Sequence, residues 1–115
     1  MKTIILLTST AFLWLSPNVV AQDITAVITT KASKFAKENA QYAGNALFCK
    51  FDKDKVEDFI AKVQTKIGTV AEDREDQVLS RMDFTNSMIV AATREPKEGC
   101  LNFRETFRLA LRNVE

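Results

Sequence analysis

Beyond its first 21 residues this chain holds three glycines, Gly44, Gly68 and Gly99, and a single proline, Pro96. That scarcity narrows the folds open to it, because glycine and proline are the residues that set tight turns and stop helices. No Asn-Gly or Asp-Gly pair occurs, and no long apolar–polar alternation, so nothing signals a β-hairpin. Apolar residues recur instead every three or four positions, the period of an amphipathic helix. The pattern predicts an all-α chain: a small bundle of about four helices with one disulfide, following a cleaved leader. The boundaries read as a signal peptide over residues 1–21 and a single helical domain over residues 22–115.

The leader rests on its pattern. Lys2 supplies one positive charge, Ile4 to Leu15 is apolar apart from small hydroxyl residues and Ala, Pro17 breaks the run, and Val19-Val20-Ala21 offers small side chains for cleavage. The apolar stretch is too short and too early for a membrane span, and no later run has spanning length. Gln22, not Cys, follows the cut, which closes the lipoprotein route. The short charged start fits a bacterial periplasm, with secretion as the other destination. Removal of 21 of 115 residues leaves 94, one small domain with a modest core. It also removes Lys2 from a total of 16 basic and 15 acidic residues, so the remainder is neutral. A nucleic-acid binder shows a basic excess, so nucleic acid is not an expected partner.

Two cysteines, Cys49 and Cys100, remain. In an oxidising compartment an even pair in a small domain forms a bridge. Closing a loop of that length is worth about 4 kcal/mol in the chain-entropy description. The competing reading, a reactive Cys100 in the first turn of a helix, lacks a base, because the chain contains no histidine.

The first helix is expected from about Asp23 to Phe48, with Ile24, Val27, Ile28, Phe35, Tyr42 and Leu47 inward and an alanine face of Ala32, Ala36, Ala43 and Ala46. Gly44 inside it implies a kink or a close helix contact. The second is expected from Asp54, capped with Glu57, along Val56, Phe59, Ile60, Val63 and Ile67, to a stop at Gly68. The third is expected to start on a Thr69–Glu72 capping box, to bury Val78, Leu79, Met82, Ile89 and Ala92, and to stop before Pro96. The fourth takes Pro96 near its first position and buries Cys100, Phe103, Phe107, Ala110 and Val114, with Leu101, Leu109 and Leu111 widening the band.

Chemistry is sparse. Without histidine, no Ser-His-Asp or Cys-His site can form, and zinc would need both cysteines plus carboxylates. Asp52, Asp54, Glu57 and Asp58 are the best carboxylate cluster, but they lack the calcium-loop spacing and suit a helix start. Glu72 to Asp76 reads the same way. No catalytic, cofactor or metal residue is therefore assigned, and catalysis is not expected. Arg104, Arg108 and Arg112 recur every four residues and form a candidate interaction surface for an anionic partner; the plain alternative is favourable cations near a helix C-terminus. Lys31, Lys34 and Lys37 form a weaker stripe, partly offset by Glu38. The phenylalanines read as core, except Phe84, which falls slightly off its helix's stripe and either widens that apolar face or stands partly exposed as an interface anchor.

These features describe an exported interaction protein acting by contact on another envelope or secreted protein: an accessory of an envelope, secretion or conjugation machine, an inhibitor, or an immunity-type binder. The alternatives are a toxicity or killing factor in the cell envelope, and a carrier or periplasmic chaperone for apolar ligands. Oligomeric state is not legible at this level.

Overall fold

The structure, a computed structural model, describes residues 29–115. The proposed leader, and Ile24, Val27 and Ile28, lie outside the described residues. Four α-helices make up the described chain: α1 (Lys31–Phe48), α2 (Lys53–Val70), α3 (Arg74–Ala91) and α4 (Gly99–Asn113). Among the described residues no strand is present, and no helix is long and apolar enough to cross a membrane. Cys49 and Cys100 are joined, with Cα atoms 5.5 Å apart.

α1 is the central element and packs on all three other helices. Its face is made of small residues: Ala32, Ser33, Ala36, Ala40, Ala43, Gly44 and Ala46 are buried. Small side chains let a neighbouring backbone come close, and α3 uses that room. A β-carbon on Gly44 would lie 2.4 Å from Ala91 Cβ and 2.5 Å from the Met88 carbonyl oxygen. Gly44 therefore marks a close helix contact. The contacts Thr30–Asp76, Ser33–Asp83 and Gly44–Ala91 ascend together, so α1 and α3 run parallel. α2 runs antiparallel to α3, with Gln64 against Arg81 and Gly68 against Gln77, and α4 runs in the same sense as α2, with Phe59 against Phe107 and Lys62 against Glu115.

Helix starts differ from the sequence expectation, each for a local reason. α1 begins at Lys31, because Thr30 is extended and its hydroxyl accepts from Ser33 N. The same hydroxyl donates to Asp76 Oδ1 at 2.7 Å, tying the cap to α3. α2 starts at Lys53, one residue before the expected Asp54, and its cap is Asp52, whose carboxylate accepts from Asp54 N. α2 does not stop at Gly68 but runs through it to Val70. Gly68 instead makes space: a β-carbon there would meet the Arg81 guanidinium at 3.2 Å, and Arg81 donates to the Gln64 carbonyl. Thr69 consequently lies within α2, and the cap of α3 falls at Asp73, which accepts from Asp76 N while Asp76 accepts from Glu72 N. α3 ends at Ala91, and Pro96 opens a turn closed by Gly99 N to the Pro96 carbonyl. Gly99, at φ 83°, starts α4 in a left-handed conformation that suits glycine.

α2 and α4 bury most of the residues expected of them, with Ile60 and Cys100 half-buried. Val56, Phe59, Val63 and Ile67 meet Phe103, Phe107, Ala110 and Val114. Leu101 and Leu109 are exposed, as is Leu47 on α1. The largest departure is α3. Its buried residues are Ser80, Phe84 and Ala91, whereas Val78, Leu79, Met82, Ile89 and Val90 are 46–58 % exposed. The inward face of α3 is mostly small, with Phe84 its one large buried residue, because the alanine face of α1 brings the two backbones close. Phe84, expected to widen the apolar face or to stand partly exposed, is fully buried.

Candidate functional site

The site begins where α1 stops. Lys50 N donates to the Leu47 carbonyl at 3.1 Å and Phe51 N to the Ala46 carbonyl at 3.2 Å. These paired bonds are the Schellman stop, which places one residue in the left-handed region, usually glycine. Here that residue is Lys50, at φ 57°. A side chain in this conformation costs about 1 kcal/mol relative to glycine.

The stop directs Phe51 into an aromatic stack. Its ring lies 5.8 Å from Phe103, nearly parallel, and 5.7 Å from Phe107. Phe107 in turn meets Phe59 edge-on at 5.3 Å. The four rings pack between α2 and α4, with Phe59, Phe103 and Phe107 buried and Phe51 half-buried. The Cys49–Cys100 bridge pins this turn to the first turn of α4.

Between the turn and the flank of α4 lies an open groove of about 480 Å³. Phe51, Phe107 and Leu111 form its apolar lining, and Lys50, Lys55, Arg104 and Arg108 supply its cations against Asp52 and Glu105. Arg104 stands over Phe51, its Cζ 5.6 Å from the ring centre, a cation–π arrangement that fixes the guanidinium at the groove. Glu105 is engaged by Arg108 through contacts of 3.0 and 2.5 Å. Those hydrogen bonds, and the charge of Arg108, hold the Glu105 carboxyl below its ordinary value. Asp52 is engaged as the cap of α2. Among the described residues Lys50, Lys55 and Arg104 enter no ion pair. The groove thus offers three cations outside any ion pair, one of them stacked on its aromatic floor. Cys49 is locked in the bridge and presents no free thiol, and the lining offers charge and stacking.

The arginine stripe is divided by the fold. Arg104 and Arg108 line the groove, while Arg112 is exposed outside its lining. Phe84 belongs to the buried core and cannot serve as a surface anchor. Lys50 and Lys55 escape a sequence reading, since they are remote from α4 in the chain and a lysine carries no stop signal. The acidic cluster resolves into local partners: Asp52 caps α2, Glu57 pairs with Lys53 and Asp58 with Lys62.

No protein family, no curated protein and no solved structure matches this chain.

Proposed function

We propose that this protein is exported, is cut after Ala21, and acts by contact, holding an acidic segment of another envelope or secreted protein in the groove beside its disulfide. The observation that carries the reading is Lys50. A lysine occupies a left-handed position that glycine would fill at lower cost, and it lines the same groove as Lys55 and Arg104. Backbone strain retained at a cation-lined groove points to a use for the side chain. The leader pattern and the bridge support an oxidising compartment. The absence of histidine from the chain and the composition of the groove favour binding over catalysis.

The test is a titration of the oxidised protein with a glutamate-rich peptide, followed by backbone amide shifts. Saturable shifts should centre on Lys50, Lys55 and Arg104, weaken with added salt, and vanish in Arg104→Glu. Shifts scattered over the molecule, or unchanged in that variant, would sink the reading. Export has its own check: the N-terminus of the protein recovered from its native compartment should be Gln22.

A further inference from the structure

We propose that the outward face of α3 is a self-interface, across which two copies of this chain pair antiparallel about Thr85 and Asn86. The surface is separate from the groove and does not depend on its reading. Val78, Leu79, Met82, Thr85, Asn86, Ile89, Val90 and Thr93 lie along one side of α3 and its end, and all are exposed. None is charged. The charged residues in the middle of the helix are directed elsewhere, Asp83 to Ser33 and Arg81 to Gln64. Large apolar residues without charge are what the middle of an interface presents.

Three observations choose a second copy as the occupant. First, the stripe mirrors itself about its centre. Met82 on one side answers Ile89 and Val90 on the other, Leu79 answers Thr93, and the polar pair Thr85–Asn86 sits between. A twofold axis through that pair brings Met82 of one copy onto Ile89 and Val90 of the other, sets Val78 and Leu79 beside Thr93, and lets the two Asn86 amides bond to each other, as an isologous contact requires. Second, the N-terminal end of the stripe is acidic on balance, with Glu72, Asp73 and Glu75 exposed around Arg74, while Arg94 stands beside Glu95 just past its C-terminal end. Antiparallel pairing sets Glu75 against Arg94 of the second copy twice; parallel pairing would set like against like. Third, the stripe is not flat. A shallow hollow of about 390 Å³ lies among Val78, Arg81, Met82, Thr85 and Asn86, at the register that Ile89 of the second copy would reach. A helix of this length spans about 27 Å. One such pair covers an area at the low end of specific interfaces, so the dimer should be reversible and concentration-dependent.

Sedimentation of the oxidised protein should show a monomer–dimer equilibrium, and Met82→Glu should shift it to monomer with helix content unchanged. Position-specific thiols test the geometry. Asn86→Cys should cross-link to itself. Val78→Cys and Thr93→Cys should cross-link to each other when mixed, and neither should do so alone. Monomer at all concentrations would overturn the proposal, as would self-linking of Val78→Cys, which requires parallel strands of helix. A dimer that Met82→Glu leaves intact would overturn it as well, by placing the contact elsewhere.

Discussion

Gly44 and Lys50 sit six residues apart on one helix and its stop, and they place backbone cost in opposite ways. Gly44 is needed for space. With Ala91 Cβ at 2.4 Å and the Met88 carbonyl at 2.5 Å from an added β-carbon, neither neighbour can yield without parting α1 from α3. Gly44→Ala should lower unfolding stability by about 1–3 kcal/mol despite its better helix propensity, as overpacking of a close contact does. Urea denaturation measures this, and a neutral or stabilising result would show that the two helices can separate freely. Lys50 has no such need, because its φ of 57° suits glycine and nothing in the Schellman bonds uses its side chain. Lys50→Gly should raise stability by about 1 kcal/mol. The same variant should bind the glutamate-rich peptide more weakly, so that stability and affinity move in opposite directions. If both rise together, the lysine is incidental and the groove loses its main support. Gly44 was legible in the sequence as a glycine out of place in a helical pattern; Lys50 was not, since αL geometry at a lysine has no composition cue.

The starts of α1 and α3 form one polar clamp. Asp76 accepts from Glu72 N, Thr30 Oγ1 and Ser80 Oγ, at 2.9, 2.7 and 3.2 Å. The backbone bond from Glu72 is the largest cause, followed by Thr30, and together they hold the Asp76 carboxyl below its ordinary value of 3.8. Because the folded state favours the ionised form, the contribution is complete above 3.8 and is lost as pH falls through the lowered folded value. Asp76→Asn should therefore be less stable than wild type near neutral pH, and the gap in thermal midpoint should close only below 3.8. A constant gap down to low pH would mean that the clamp acts through shape alone. The clamp also explains why α3 misled the pattern reading while α2 did not. Along α2, Val56, Phe59, Val63 and Ile67 face a core with room for them, so hydrophobic spacing and burial agree. Along α3 the apolar residues follow the same spacing, but Thr30 and Ser33 hold its polar and small face against the alanines of α1. Periodicity says which residues share a side; it does not say which side turns inward when both can. The misplaced boundaries have the same origin, since Gly68 and Thr69 carry local stop and start signals that the fit of Arg81 against α2 overrides.

Two packing regimes meet at α1: small residues against α3, and phenylalanines joining α2 to α4. α4 is held to α1 through the bridge and the aromatic stack around Phe51, and both converge on the groove. The bridge thus closes a long loop, between cysteines 51 positions apart, and also fixes the distance between Lys50 and Arg104. Loop closure of this length is worth about 4 kcal/mol in the chain-entropy description, a large part of the roughly 5–15 kcal/mol of a whole domain. Reduction should lower the thermal midpoint by on the order of 20 °C. It should also weaken the glutamate-rich peptide at temperatures where the helices persist, because Lys50 and Arg104 then sit on elements free to part. A Cys49→Ser, Cys100→Ser variant distinguishes the two effects. Peptide affinity that survives in the variant, with a lowered midpoint, would assign the bridge to stability alone and leave Phe51 as the element that holds the cations together. Loss of affinity while circular dichroism still reports full helix content would show that the covalent tie sets the shape of the groove.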